Sequence, residues 1–364
     1  MTVNELTSII DQKAPTALKE DYDNVGLLVG NGETEISAVL ITLDVTEAVI
    51  DEAIQFDCNL IVAHHPLLFR SLKRITGENY IQKCVIKAIK NDLCIYAAHT
   101  NLDNVLDGVN GKIADKLGLV NRSILQPKSG NLLKLVTFVP ENYKNKLLNA
   151  LFEAGAGTIG NYDWCSFQSK GTGTFRANKE AHPFVGEMNK LHEEPENRIE
   201  VILPDYLISK VVAALYQSHP YEEPAFDLIP LSNRWNRVGS GIVGQLEKEM
   251  EELDFLNLLK QQFSLQTLRY TNLRNKKIKK VAVCGGSGSE FLQDAKACQA
   301  DVFVSADFKY HDFFEAENEI LIVDIGHYES EQFTKEIFYE IITKKNPNFA
   351  VRISDVKTNP INYL

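Results

Sequence analysis

The chain has 364 residues, 44% of them hydrophobic and 24% charged, which excludes wholesale disorder and a single small module and predicts two or three domains of ~150 residues each. Thirty-eight Lys and Arg stand against 49 Asp and Glu, a net charge of −11, so the surface on average repels a nucleic-acid backbone and nucleic acid is not an expected partner. No run approaches the ~20 apolar residues that span a bilayer, and the opening residues, with Asn4, Glu5, Asp11 and Lys13, lack a signal-peptide core, so the expected address is cytoplasmic, without a membrane.

From residue 37 to 119, apolar runs alternate with helical patterns. Residues 38–43, 60–63 and 93–98 read as strands, and 46–56 and 80–90 as helices. Strands that are apolar without alternation imply a sheet covered on both faces, and the crossover rule makes it largely parallel. The rhythm returns after residue 279: strands at 280–284, 301–305 and 319–325, with helices at 290–299, 311–317 and 331–344. The fold class expected is therefore α/β, in two sequence halves of one domain. The six cysteines, at 58, 84, 94, 165, 284 and 298, show no CxxC spacing and read as reduced thiols.

Between the halves the grammar changes. Residues 135–152 align without gaps on 199–216, matching Pro140 with Pro204, Lys146 with Lys210, Ala150 with Ala214 and Leu151 with Leu215. Each copy reads as strand, proline and amphipathic helix, with a further strand candidate at 162–167 after the first and 225–231 after the second. The glycine-rich segments 155–160 and 168–173 read as turns or a mobile loop. Tandem units of this kind describe an inserted ferredoxin-like α+β module. The predicted organisation is 1–127, an insert at 128–233, and 234–364.

Three apolar strands finish in histidine, at His64-His65, at His99 and at His327. Ligands bind beyond the carboxyl ends of parallel strands, so these segments are expected to converge. Imidazole nitrogens with carboxylate oxygens suit zinc, manganese, iron or nickel rather than calcium. His327 and Glu331 are four residues apart, on one helical face, where Glu331 could reach two ions. Taken singly, a His-His pair or a His-x-x-x-Glu reads as a solvated surface; the shared position is what favours metal. Gly285-Gly286-Ser287-Gly288 follows a strand and is either a tight βα turn or a seat for an anionic group. Asp307 and His311 are candidate acid–base or supporting groups, with a helix cap and a partly exposed helix residue as the blander readings. His182 and His192 lie in a polar stretch read as a solvated loop.

The segments Asp23-Asn24-Val25-Gly26, His64-His65-Pro66-Leu67, His99-Thr100-Asn101-Leu102-Asp103, Cys284-Gly285-Gly286-Ser287-Gly288 and Gly326-His327-Tyr328-Glu329-Ser330-Glu331 together resemble the NGG-interacting-factor-like proteins, also called GTP cyclohydrolase 1 type 2 homologs. The resemblance implies a dinuclear centre, two divalent ions per chain held by His64, His65, Asp103, His327 and Glu331, with Glu331 bridging. Tyr22 stands where these proteins often carry Trp. The insert, through His219-Pro220-Tyr221-Glu222-Glu223-Pro224, is similar to the PII/CutA-like domain of a longer subset. The resemblance also implies a toroidal homohexamer with the metal sites facing an internal cavity.

The function expected is metal-dependent hydrolysis of a nucleotide-like substrate or a phosphoester, with Asp307 or His311 moving a proton and residues 285–288 seating an anionic group. The alternative is a non-catalytic metal-binding protein that regulates or contacts a partner.

Overall fold

A computed structural model describes residues 1–364. It divides into two compact units, one formed by Met1–Pro127 with Arg237–Leu364 and the other by Lys128–Asn236. No helix is long and apolar enough to cross a membrane.

The first unit holds two sheets. In the five-stranded sheet the order is Gly26–Val29, Cys94–Ala97, Leu60–Ala63, Val39–Thr42 and Val351–Ile353. Its pairings are parallel except for the antiparallel edge Gly26–Val29. The three central strands are buried at every position, as their unbroken apolar sequences require of strands covered on both faces. Each fully buried aliphatic side chain contributes ~1.5–3 kcal/mol to holding this layer. The flanking helices Glu47–Gln55 and Tyr80–Lys90 start at Thr46 and Asn79, whose side chains accept from the backbone N–H of Val49 and Gln82 and so cap otherwise unpaired amides.

The six-stranded sheet runs Arg269–Tyr270, Leu321–Asp324, Val302–Ala306, Lys277–Ser287, Arg234–Glu251 and Val120–Ser129. Here the contacts of Val302–Ala306 with its two neighbours are parallel; Lys277–Ser287 meets Arg234–Glu251 antiparallel, and Arg269–Tyr270 meets Leu321–Asp324 antiparallel. The expected largely parallel sheet is thus two mixed sheets. Two strands cross over: Val351–Ile353 completes the sheet of the first half, and Val120–Ser129 joins that of the second. The helix expected at 331–344 is also two pieces, His327–Glu331 and Thr334–Lys345, so Glu331 closes a helix instead of opening one. All six cysteines are free.

The second unit has a four-stranded sheet in the order Phe167–Phe175, His192–Pro204, Leu132–Pro140 and Phe226–Leu231, every pairing antiparallel. With helices Lys144–Glu153 and Ile208–Ser218 the element order is βαββαβ, the split βαβ arrangement. The internal repeat is visible in the core. Leu135, Val139, Leu147 and Leu151 correspond to Ile199, Leu203, Val211 and Leu215, and all eight are buried in one cluster. Pro140 and Pro204 each precede a short 3-10 turn that runs into the helix, because a fixed φ is already near the helical value. The strand expected at 162–167 begins only at Phe167, and segment 168–173, expected as loop, lies inside it.

Candidate metal centre

The strand Leu60–Ala63 continues its ladder beyond its last residue: His64 N–H donates to Thr42 O and His65 N–H to Leu43 O, at 3.3 and 2.9 Å. The two imidazoles are thereby fixed on the rim of the sheet, with ring centroids 4.9 Å apart. The next strand, Cys94–Ala97, delivers His99 and the four-residue helix Thr100–Asp103 beside them. From the other sequence half, Leu321–Asp324 leads into His327–Glu331, where His327 Nε2 and Glu331 Oε2 lie 3.2 Å apart across one helical turn.

Each histidine is held by its Nδ1. His64 is fully buried and its Nδ1–H donates to Ala98 O at 2.9 Å; a carbonyl only accepts, so Nε2 carries the lone pair. His65 Nδ1 pairs with Asp44 at 2.8 Å, His99 Nδ1 with Asp23 at 2.9 Å, and His327 Nδ1 with Asp307 at 2.7 Å. Such carboxylate and carbonyl partners fix the tautomer and raise the basicity of the opposite nitrogen.

Those opposite nitrogens converge. His64 Nε2 lies 3.6 Å from Asp103 Oδ1 and 3.8 Å from Glu331 Oε1. His65 Nε2 lies 2.9 Å from Glu331 Oε2. His64 Nε2 and Asp103 Oδ1 are buried with no hydrogen-bond partner, a costly arrangement for two polar atoms turned toward each other unless a cation lies between them. The ligand atoms fall into three groups, each within 4.8 Å: His64 with His65 and His99; His65 with His327 and Glu331; His64 with Asp103 and Glu331. The donor set fits borderline divalent ions.

The electrostatics agree. Burial pushes the His64 imidazole down to about 4, keeping it neutral. For His65 and His327 burial acts in the same sense, but Asp44 and Glu331 hold His65 up to about 10, and Asp307 and Glu331 hold His327 up to about 11. Burial raises Asp103 well above the carboxylate range, with Glu331 adding to the shift. Glu331 is held well below its usual range, because His327, His64 and His65 outweigh its burial. Although burial opposes it, Asp23 is also held low, by His99 and by the hydroxyl and N–H of Thr100.

The other expected residues are placed differently. Gly285 N–H donates to Asn110 Oδ1 at 2.8 Å and Gly286 N–H to Ser330 Oγ at 2.9 Å. At 285–288, where a tight βα turn or an anion seat is expected, these two N–H groups dock the strand end against the helices Val109–Lys116 and His327–Glu331. At Gly286 φ is +63°, and a Cβ would stand 2.3 Å from Glu331 Oε1, so only glycine lets that carboxylate reach the centre. Asp307 orients His327. His311 is exposed, packs on Tyr310 and Phe314, and makes no hydrogen bond to the cluster. Of the remaining histidines, His192 lies at the start of a strand, bonded to Glu194 at 2.8 Å. His99, two residues past its strand as His65 is past its own, joins His64 and His65 in one group of candidate ligand atoms, although the family resemblance does not include it among the ligands.

Fold and site together define a mixed α/β protein with a histidine–carboxylate cluster able to hold divalent ions. Residues 1–360 match the family Duf34/NIF3 (NGG1p interacting factor 3), and the chain belongs to it. A protein of Halalkalibacterium halodurans named GTP cyclohydrolase 1 type 2 homolog is 41% identical over 361 residues, 98% of this chain and 97% of its own. One of the same name from Bacillus subtilis is 38% identical over 370 residues, 99% of this chain and 98% of its own. The crystal structure of a Bacillus cereus protein related to NIF3 superposes with a TM-score of 0.86 at 38% identity, covering 100% of this chain and 99% of that one.

Proposed function

We propose that this protein is a dinuclear metal-dependent hydrolase acting on a nucleotide-like substrate, with His64, His65, Asp103, His327 and Glu331 as the ligands. The observation that carries the reading is the partnerless His64 Nε2, a neutral lone pair turned toward Asp103 and Glu331 in a buried site. Two ion positions are supported by the way Glu331 is shared: Oε1 faces His64, while Oε2 faces His65 and His327. Zinc heads the candidates, followed by manganese, iron and nickel.

Bound divalent ions supply a water acidified near neutral pH and a Lewis acid for developing negative charge. The chain's own part is to fix four imidazoles through Asp44, Asp23, Asp307 and Ala98 O, and to hold Glu331 against Gly286. Asp307, half exposed beside His327, is placed to accept a proton at Oδ1 while Oδ2 orients the ring. The relatives' name points to the guanine ring of GTP as the bond system opened; a phosphoester would use the same groups. The βαββαβ insert supports a PII/CutA-like reading of 128–233, and a cytoplasmic homohexamer is the assembly proposed.

The test is a screen of GTP, other nucleotides and phosphoesters against chain loaded with Zn²⁺, Mn²⁺ or Fe²⁺. Turnover that disappears in Glu331→Gln supports the proposal. Turnover at full rate in that variant, or none with any metal, overturns it.

A further inference from the structure

The second unit buries the odd-numbered residues Ile199, Val201 and Leu203 of its long strand beneath its two helices. The even-numbered residues therefore face the opposite side. On that side, register places Phe138 opposite Arg198, and Arg198 opposite Ser169; Gly171 lies opposite Glu196. These residues line a cavity of about 880 Å³, within the size range of small-molecule sites.

Two features are difficult to explain as folding requirements. The edge strand is bare just where it meets the cavity: Gly171 and Gly173 sit two apart on the cavity face, and glycine inside a strand weakens it. A Cβ at Gly171 would meet nothing within 4 Å, whereas one at Gly173 would stand 2.1 Å from Glu196 Oε2. The glycines thus leave open space and let the Glu196 carboxylate lie flat along the floor. Second, the His219–Pro224 segment turns Tyr221 into the cavity, where its hydroxyl donates to Glu196 Oε1 at 2.7 Å. Glu196 is only 9% exposed, and Oε2 remains free to accept. The Tyr221 ring lies 6.2 Å from Phe175 and 6.3 Å from Phe184, both also lining the cavity.

Three aromatic rings around a largely buried carboxylate form a box for a flat ring and a positive group: the faces stack or make cation–π contacts, and the carboxylate takes a charge-assisted hydrogen bond. Arg198 lies over Phe138, and Phe175, Phe184 and Tyr221, backed by His192, Tyr143 and His219 respectively, offer their remaining faces to the ligand. We propose that residues 128–236 carry a second binding site, independent of the metal centre, for a small molecule that joins an aromatic ring to a protonated amine, with Glu196 as its counter-ion.

The test uses the full-length protein and tryptamine as probe, followed by calorimetry and ligand-observed NMR. Indole-3-acetate, with the same ring and the opposite charge, is the comparison. Tryptamine is expected to saturate one site per chain and to bind at least about tenfold more tightly than indole-3-acetate, the difference expected of a charged hydrogen bond. Glu196→Gln removes that preference. Gly171→Val introduces a strand-favouring residue into open space, so the thermal midpoint holds while binding is lost. Failure of tryptamine to saturate, equal binding of indole-3-acetate, or undiminished binding by folded Gly171→Val would each overturn the proposal.

Discussion

The Nε2 atoms of His65 and His327 stand 3.3 Å apart, and both turn to the same oxygen of Glu331, at 2.9 and 3.2 Å. Two imidazole nitrogens and a carboxylate at that spacing need positive charge between them. In the ion-free protein protons supply it, which is why both rings titrate so far above the ordinary 6.5. Metal uptake must displace those protons.

The pH dependence follows with a definite sign. Raised histidine values stabilise the ion-free fold fully below about pH 6.5, and that contribution fades as pH climbs through about 10 and 11. Metal affinity runs the other way, rising across the same window. Calorimetry in buffers of different ionisation enthalpy at pH 7 is expected to show at least about two protons released per chain on saturation with Zn²⁺, those of His65 and His327. Uptake without proton release would contradict the assignment of His65 and His327.

Removal of a ligand separates metal binding from folding. His64→Ala and Asp103→Ala each delete one wall of the buried group, so metal content by elemental analysis should fall in both. Asp103→Ala also removes a buried carboxyl that repels Glu331, so its ion-free melting temperature is expected to hold or rise. Full metal occupancy in both variants would remove these residues from the centre.

The supporting carboxylates should matter nearly as much. Asp44→Asn and Asp307→Asn keep the shape but lose the charge that orients His65 and His327. A weakening of metal affinity by roughly 10–100-fold is expected of each, measured by competition with a chelator. An unchanged affinity would make Asp44 and Asp307 surface groups only.

Gly286→Ala sets a side chain against Glu331 in a left-handed backbone conformation. A loss of about 1–3 kcal/mol in stability is expected from the strain, together with lower metal content because Glu331 must move. Chemical denaturation and elemental analysis read the two effects separately. A variant of normal stability and normal metal content would show that the close approach is not required.

Much of this was legible in the sequence because burial imposes a pattern. Continuous apolar runs marked the central strands, and the offset repeat marked both helices and the core of the second unit. What escaped lacked such a pattern. Val351–Ile353 has three residues and is only half-buried, too short for any period. Segment 167–175 carries two glycines and is mostly exposed, so its polar, flexible composition read as loop although backbone pairing makes it a strand. The clustered histidines were legible from their strand-end positions and Asp103 only through the family resemblance, whereas Asp44 and Asp23 were not legible, since an aspartate that serves a histidine looks like any other until the fold brings the two together. The role of 285–288 is no more legible: glycines leave amides accessible, and only the fold brings Asn110 and Ser330 to two of them.

The exchange of Val351–Ile353 into the first sheet has a consequence for biosynthesis. Until that strand leaves the ribosome, Val39–Thr42 has an uncovered flank, its N–H and C=O groups open to any passing extended segment. At about 5–20 residues per second, translation leaves that flank open for roughly 15–60 s, which makes the nascent chain a natural client for holding chaperones and makes loss of the final residues a hazard to the N-terminal half.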